Sequence, residues 1–168
     1  MHETMGFALS DMTLSSPAFE NGGPIPLRHT AYGDNISPAL RWSGAPEGTR
    51  SFALICHDPD APLVTPAGHH GYVHWVLYNI PGEVTELPEG IDPGKYTTGP
   101  NEQGEEVYFG PQPPAGHGRH SYYFWLLALS REPDLEPGLD MRSLLRAVEG
   151  DLLGMNRLVG TYEQPAEG

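Results

Sequence analysis

Three apolar runs, Ser51–Cys56, Val73–Ile80 and Tyr122–Leu129, constrain what this chain can fold into more than any other feature. They are dense in aromatic and β-branched residues, and Pro, Gly or Asn bounds most of their ends, which is the punctuation of strands. Shorter strand candidates lie at Leu40–Trp42 and Glu106–Phe109, and Phe7 with Leu9 suggests a first strand inside Met5–Ser15. Turn signals separate them: Asn21-Gly22-Gly23-Pro24, Gly33-Asp34-Asn35, Pro46-Glu47-Gly48 and Asp92-Pro93-Gly94. The last quarter changes period. Met141, Leu144, Leu145, Val148, Leu152, Met155 and Val159 recur at helical spacing behind Asp140, a suitable N-cap. Gly150 and Gly154 weaken that pattern, so the spacing predicts one interrupted helix or two short ones near 140–159. Strands first and helix last predict a mostly β domain with helix packed on one side, and a single domain over residues 1–168.

Charge excludes several function classes. The chain carries 22 acidic residues against nine Lys and Arg, a formal charge of −13, and Lys95 is its one lysine. Nucleic-acid binding needs clustered cations to neutralise phosphates, and none are clustered here. Anionic lipid surfaces are disfavoured by the same field. No apolar run approaches a membrane span, and Met1-His2-Glu3-Thr4 lacks the layout of a secretory signal, so the expected location is cytoplasmic. Cys56 has no partner for a disulfide and sits in an apolar run, which predicts a buried structural thiol.

Chemistry concentrates in two proline-rich motifs. The first is Asp58-Pro59-Asp60-Ala61-Pro62, followed by His74-Trp75. The second is Gly110-Pro111-Gln112-Pro113-Pro114-Ala115-Gly116, followed by His120-Ser121-Tyr122. Proline and glycine fix the backbone on which these polar groups are carried, as a small preformed pocket requires. If the segment is extended, Asp58 and Asp60 point to one face and aim both carboxylates at one site. His69, His70 and His74 with Asp58 and Asp60 raise a metal option, but no HExxH or CxxC is present, and the expectation is no metal and no cofactor. A serine hydrolase lacks its G-x-S-x-G elbow, and no glycine-rich nucleotide loop exists.

In this order the motifs resemble the phosphatidylethanolamine-binding protein family, which includes the Raf kinase inhibitor protein, and most closely its bacterial branch. The resemblance rests on Ser16-Pro17-Ala18-Phe19, Ile25-Pro26, Asn35 to Trp42, the Asp58–Pro62 block, His74-Trp75 through Asn79-Ile80-Pro81, the Gly110–Tyr122 block and Gly160-Thr161-Tyr162. It implies a large antiparallel sheet packed on a smaller one with short peripheral helices. It also implies a cavity for phosphoryl or other small anions, lined or braced by Asp58, Asp60, Tyr72, His74, Gly110, Gln112, His120 and Tyr122. Tyr72 stands where a Trp is common, and Gln112 where bacterial relatives often have Cys. Asp151 stands where the bacterial pattern usually has a His, and the aromatic C-terminal segment that closes the pocket in animal members is not recognisable. Backbone N–H groups near Gly110 to Gln112 are expected to add donors. Asp58 is expected to orient an imidazole, and both His74 and His120 to charge as pH falls past about 6.5. The function so implied is a binding protein for a small anionic or phosphorylated ligand, with modulation of a protein kinase or protease as the family precedent. The alternative is an enzyme using the Asp/His pocket for acid–base chemistry on a phosphoryl or acyl substrate.

Overall fold

A computed structural model of the chain describes residues 10–62 and 70–166. The expected strand residues Met5 to Leu9, and His69, lie outside the described residues. In chain order the elements are β1 (Thr13–Ser15), β2 (Leu40–Ser43), β3 (Ser51–Asp58), β4 (Tyr72–Pro81), β5 (Glu86–Leu87), β6 (Thr97–Gly99), β7 (His120–Leu129), α1 (Met141–Val148) and β8 (Leu152–Tyr162). Short 3-10 turns occupy Leu27–His29 and Glu149–Asp151.

The strands form a five-stranded sheet ordered β6-β4-β3-β7-β8 and a three-stranded sheet ordered β1-β2-β5, antiparallel throughout. The three apolar runs are the central strands β4, β3 and β7. They read as continuous apolar stretches because both faces of the large sheet are covered. On one face, Phe52, Leu54, Trp75, Leu77, Phe124 and Leu126 pack with Leu14, Leu40, Trp42 and Leu87 of the small sheet. On the other, Ala53, Ile55, Val76, Tyr78 and Leu127 pack with Leu144 and Val148 of α1. Cys56 is buried in the first layer, and burial with the nearby Asp58 charge pushes its thiol well above the ordinary range.

Two sequence expectations need correction. The helix starts where expected, with the Asp140 carboxylate accepting from Ser143 N–H at 2.8 Å, but it ends at Val148. Residues 152–159 continue as strand. β8 pairs with β7 from His120↔Tyr162 to Leu129↔Leu152, satisfying backbone groups that a helix broken by Gly150 and Gly154 would hold poorly. Its buried positions are Leu158 and Gly160, at strand period, while Leu152 and Leu153 are exposed. The helical spacing of Leu152, Met155 and Val159 is coincidental. Glu106–Phe109 is likewise no strand. It runs beside β4, with Phe109 N–H donating to the His74 carbonyl at 3.0 Å and the Asn101 amide donating to the Val107 carbonyl at 2.8 Å. Among the described residues no helix is long and apolar enough to cross a membrane.

Candidate functional site

Antiparallel pairing brings the end of β3 beside the starts of β4 and β7, so three strand termini meet at one end of the large sheet. Asp58, the last residue of β3, lies opposite Tyr72, the first of β4. Alternation then puts Tyr72 with His74 on one face of β4, and His120 with Tyr122 on one face of β7. The loops complete a cavity of about 300 Å³ whose lining includes Asp58, Tyr72, His74, Gln112, His120 and Tyr122. Phe109, Pro113, Pro114 and His117, with Ala61, Pro62 and Gln103, complete the lining.

Asp58 and His120 form a buried pair. The Nδ1–H of His120 donates to Asp58 Oδ2 at 2.7 Å, and both residues are under 5 % exposed. The other carboxylate oxygen accepts from Asp60 N–H at 2.8 Å, so both oxygens of Asp58 are engaged. On the far side of the ring, His120 Nε2 is 2.9 Å from His117 Nδ1. Asp58, His120 and His117 therefore make one hydrogen-bonded chain from the interior to an exposed imidazole. Asp58 orients the imidazole as expected, and the imidazole is His120.

His74 is held differently. Its Nδ1–H donates to the Phe109 carbonyl at 2.6 Å, its ring lies 10° from parallel to Phe109, and Tyr122 meets it edge-on at a centroid separation of 5.2 Å. Burial lowers its pKa to about 4; the Phe109 and Gly110 carbonyls pull the other way, and His57 and His120 add to the lowering. The expectation that both histidines charge near neutrality is thus overturned for His74, because desolvation outweighs its carbonyl partners. Burial, then the Asp58 charge, pushes the Tyr122 hydroxyl far above its ordinary range, and burial also raises Tyr72. Both remain neutral phenols that can donate.

Asp60 and Gly110 do not line the cavity. The β3 strand ends at Asp58 and turns at Pro59, so Asp60 is not directed like Asp58; its exposed carboxylate accepts from Ser121 N–H at 2.7 Å and ties the two motifs together. Gly110 braces the loop. Its N–H donates to Asn35 Oδ1 at 2.7 Å, and Pro111 has no N–H, so neither of these two positions offers a backbone donor to a ligand. A Cβ on Gly110 would come within 2.3 Å of the His29 carbonyl oxygen and 2.9 Å of Thr30 Cα, both backbone atoms. Gly110→Ala is expected to lower stability by about 1–3 kcal/mol through this overpacking, read as a shift in the urea midpoint at unchanged slope.

His117, Phe109 and Gln103 were not singled out by the sequence. His117 carries a signal all the same, an imidazole three residues before His120 just past the proline-rich motif. Among the described residues no group of three or more His, Cys, Asp and Glu is placed to hold a metal ion.

The chain matches the family model described as phosphatidylethanolamine-binding protein over residues 15–163. It is 43% identical over 158 residues to a UPF0098 protein of Methanothermobacter thermautotrophicus, covering 91% of this chain and 99% of that one. Among solved structures it is similar to CT736 of Chlamydia trachomatis, described as a homologue of the same family. That likeness has a TM-score of 0.81 and 37% identity, over 91% of this chain and 97% of that one. Escherichia coli YbcL, described as a member of the mammalian family, matches with a TM-score of 0.81 and 29% identity, over 92% of this chain and 99% of that one.

Proposed function

The chain belongs to the phosphatidylethanolamine-binding protein family, and on that premise we propose that its cavity binds a small phosphoryl or similar oxyanion ligand, as a binding protein and not as an enzyme. One observation carries the reading: the Asp58–His120–His117 chain. One added proton makes the histidine pair cationic, and the buried Asp58 carboxylate at 2.7 Å balances that charge. The exposed end of the chain then presents His117 as a charge-assisted donor to an anion in the cavity, whose lining also holds the Tyr122 phenol. A phosphorylated side chain of another protein carries the same terminal group. Docking of such a partner is the route by which this chain would modulate a kinase or protease.

The Asp58–His120 pair also has the geometry that orients a general base, which favours the enzyme alternative. Against it, no Ser, Thr or Cys is among the described residues lining the cavity, and its phenols are held protonated. Calorimetric titration with a phosphomonoester tests the binding reading. Saturable heat without turnover is expected. His117→Ala should cost about 2 kcal/mol of binding while changing stability by under about 0.5 kcal/mol, because the residue is exposed. Unsaturable heat, or release of phosphate, sinks the reading.

A further inference from the structure

The polar atoms around the cavity define which protonation state of a ligand can enter. His74 Nδ1 faces a carbonyl, which can only accept, so the single proton of the neutral ring sits on Nδ1. Nε2 carries the ring's lone pair, and among the described residues none hydrogen-bonds to it. Asp58 offers no donor, and each of its oxygens already accepts one hydrogen bond, from Asp60 N–H and His120 Nδ1–H. No Lys or Arg lines the cavity, and none occurs among the residues outside the described set. Arg119 precedes His120 in sequence but is exposed and absent from the lining.

We propose, building on the anion-binding reading, that the cavity takes a phosphoryl ligand as its singly protonated monoanion, the ligand's P–O–H donating to His74 Nε2 while its other oxygens accept from His117 and Tyr122. A fully ionised phosphomonoester would set a lone pair against the Nε2 lone pair. It would also bring a second negative charge into a site where the one balancing cation, on His117 and His120, is already offset by Asp58. Protonating His74 instead is opposed by its burial, which holds the ring neutral down to about 4. Among the described residues, the ionisable groups lining the cavity with His74 are Asp58, Tyr72, His117, His120 and Tyr122. His57 acts on His74 from outside the cavity lining, and Glu102 and Glu105 act on Tyr72. These two glutamates add negative potential, and so also favour the less charged ligand. A sulfate ester has the same single charge but no O–H, so the site should reject it, a discrimination by hydrogen-bond donor and not by charge.

Calorimetric titrations from mildly acidic to mildly alkaline pH test this with three probes. Two are methylphosphonate and a fluorinated methylphosphonate of lower second pKa; the third is methyl sulfate. The expected result is a break that moves with each phosphonate's own second pKa, above which affinity falls about tenfold per pH unit beyond any loss shared with methyl sulfate, the shared part reporting the proton on the histidine pair. Methyl sulfate should bind at least tenfold more weakly than either monoprotonated phosphonate. A break at the same pH for both phosphonates would assign the proton to the protein's histidines and overturn the inference, leaving the anion-binding reading intact. Methyl sulfate binding as tightly as the phosphonates would overturn it equally. Saturable binding by none of the three at any pH would remove both.

Discussion

His120→Ala is expected to cost about 3–5 kcal/mol of folding stability and to abolish oxyanion binding in the same step, because it strands the Asp58 carboxylate. Asp58 is 3 % exposed, and after the substitution one of its oxygens keeps only the Asp60 N–H while the other loses its partner. An uncompensated buried charge costs far more than the intact pair contributes, so the mutation reads the penalty of stranding and not the worth of the bond. The double substitution Asp58→Asn with His120→Ala removes the charge, and should recover a substantial part of the lost stability while leaving binding absent. Urea unfolding of the two single variants, the double variant and the parent gives the coupling, expected to exceed about 1 kcal/mol for groups in direct contact. A cost below about 1 kcal/mol for His120→Ala would mean that the pair is solvated like a surface ion pair, contrary to its burial.

The parts of the fold legible in the sequence are those whose burial is two-sided. β3, β4 and β7 carry unbroken apolar runs because the small sheet covers one face of the large sheet and α1 packs on the other. β8 was not legible. Its apolar residues fall by chance at helical spacing, and its strand character comes from pairing with β7, which no local window contains. Gly160 marks the difference. A Cβ there would lie 2.5 Å from Ile25 Cγ1, a close approach set by tertiary packing. At the site, the motifs and the family resemblance identify Asp58, Tyr72, His74, Gln112, His120 and Tyr122, and the structure brings these six to one cavity. The carboxylate spacing of Asp58 and Asp60 misleads, because the turn at Pro59 ends the period-two geometry it assumes. His117 escapes because its importance lies in one contact, with His120 Nε2. The charge state of His74 escapes because desolvation depends on Phe109, Tyr72 and Tyr122 closing around the ring, none of which spacing along the chain reveals.

That charge state leads to the second large effect, a loss of stability in acid traceable to one ring. The folded pKa of His74 is about 4 against an ordinary 6.5, so between these values the unfolded chain binds a proton that the folded chain does not. Stability therefore rises with pH across this window. The contribution is fully present above about pH 6.5, and is lost progressively as pH falls towards about 4, below which both states are charged and the slope vanishes. A separation near 2.5 pH units corresponds to about 3 kcal/mol, and burial at 3 % exposure leaves little solvent to screen it. Carboxylates titrating in the same range contribute their own slopes, so the measurement is a difference. His74→Asn places an amide N–H where Nδ1–H donates to the Phe109 carbonyl, and it cannot titrate. Unfolding free energies of the parent and His74→Asn between about pH 4 and pH 7 should diverge by about 3 kcal/mol, with the parent losing more on acidification. Parallel curves would show that the folded ring charges as readily as the unfolded one. Neutral His74 would then no longer be the acceptor that selects a protonated ligand. A divergence of opposite sign would mean that an anionic neighbour dominates over burial at this ring.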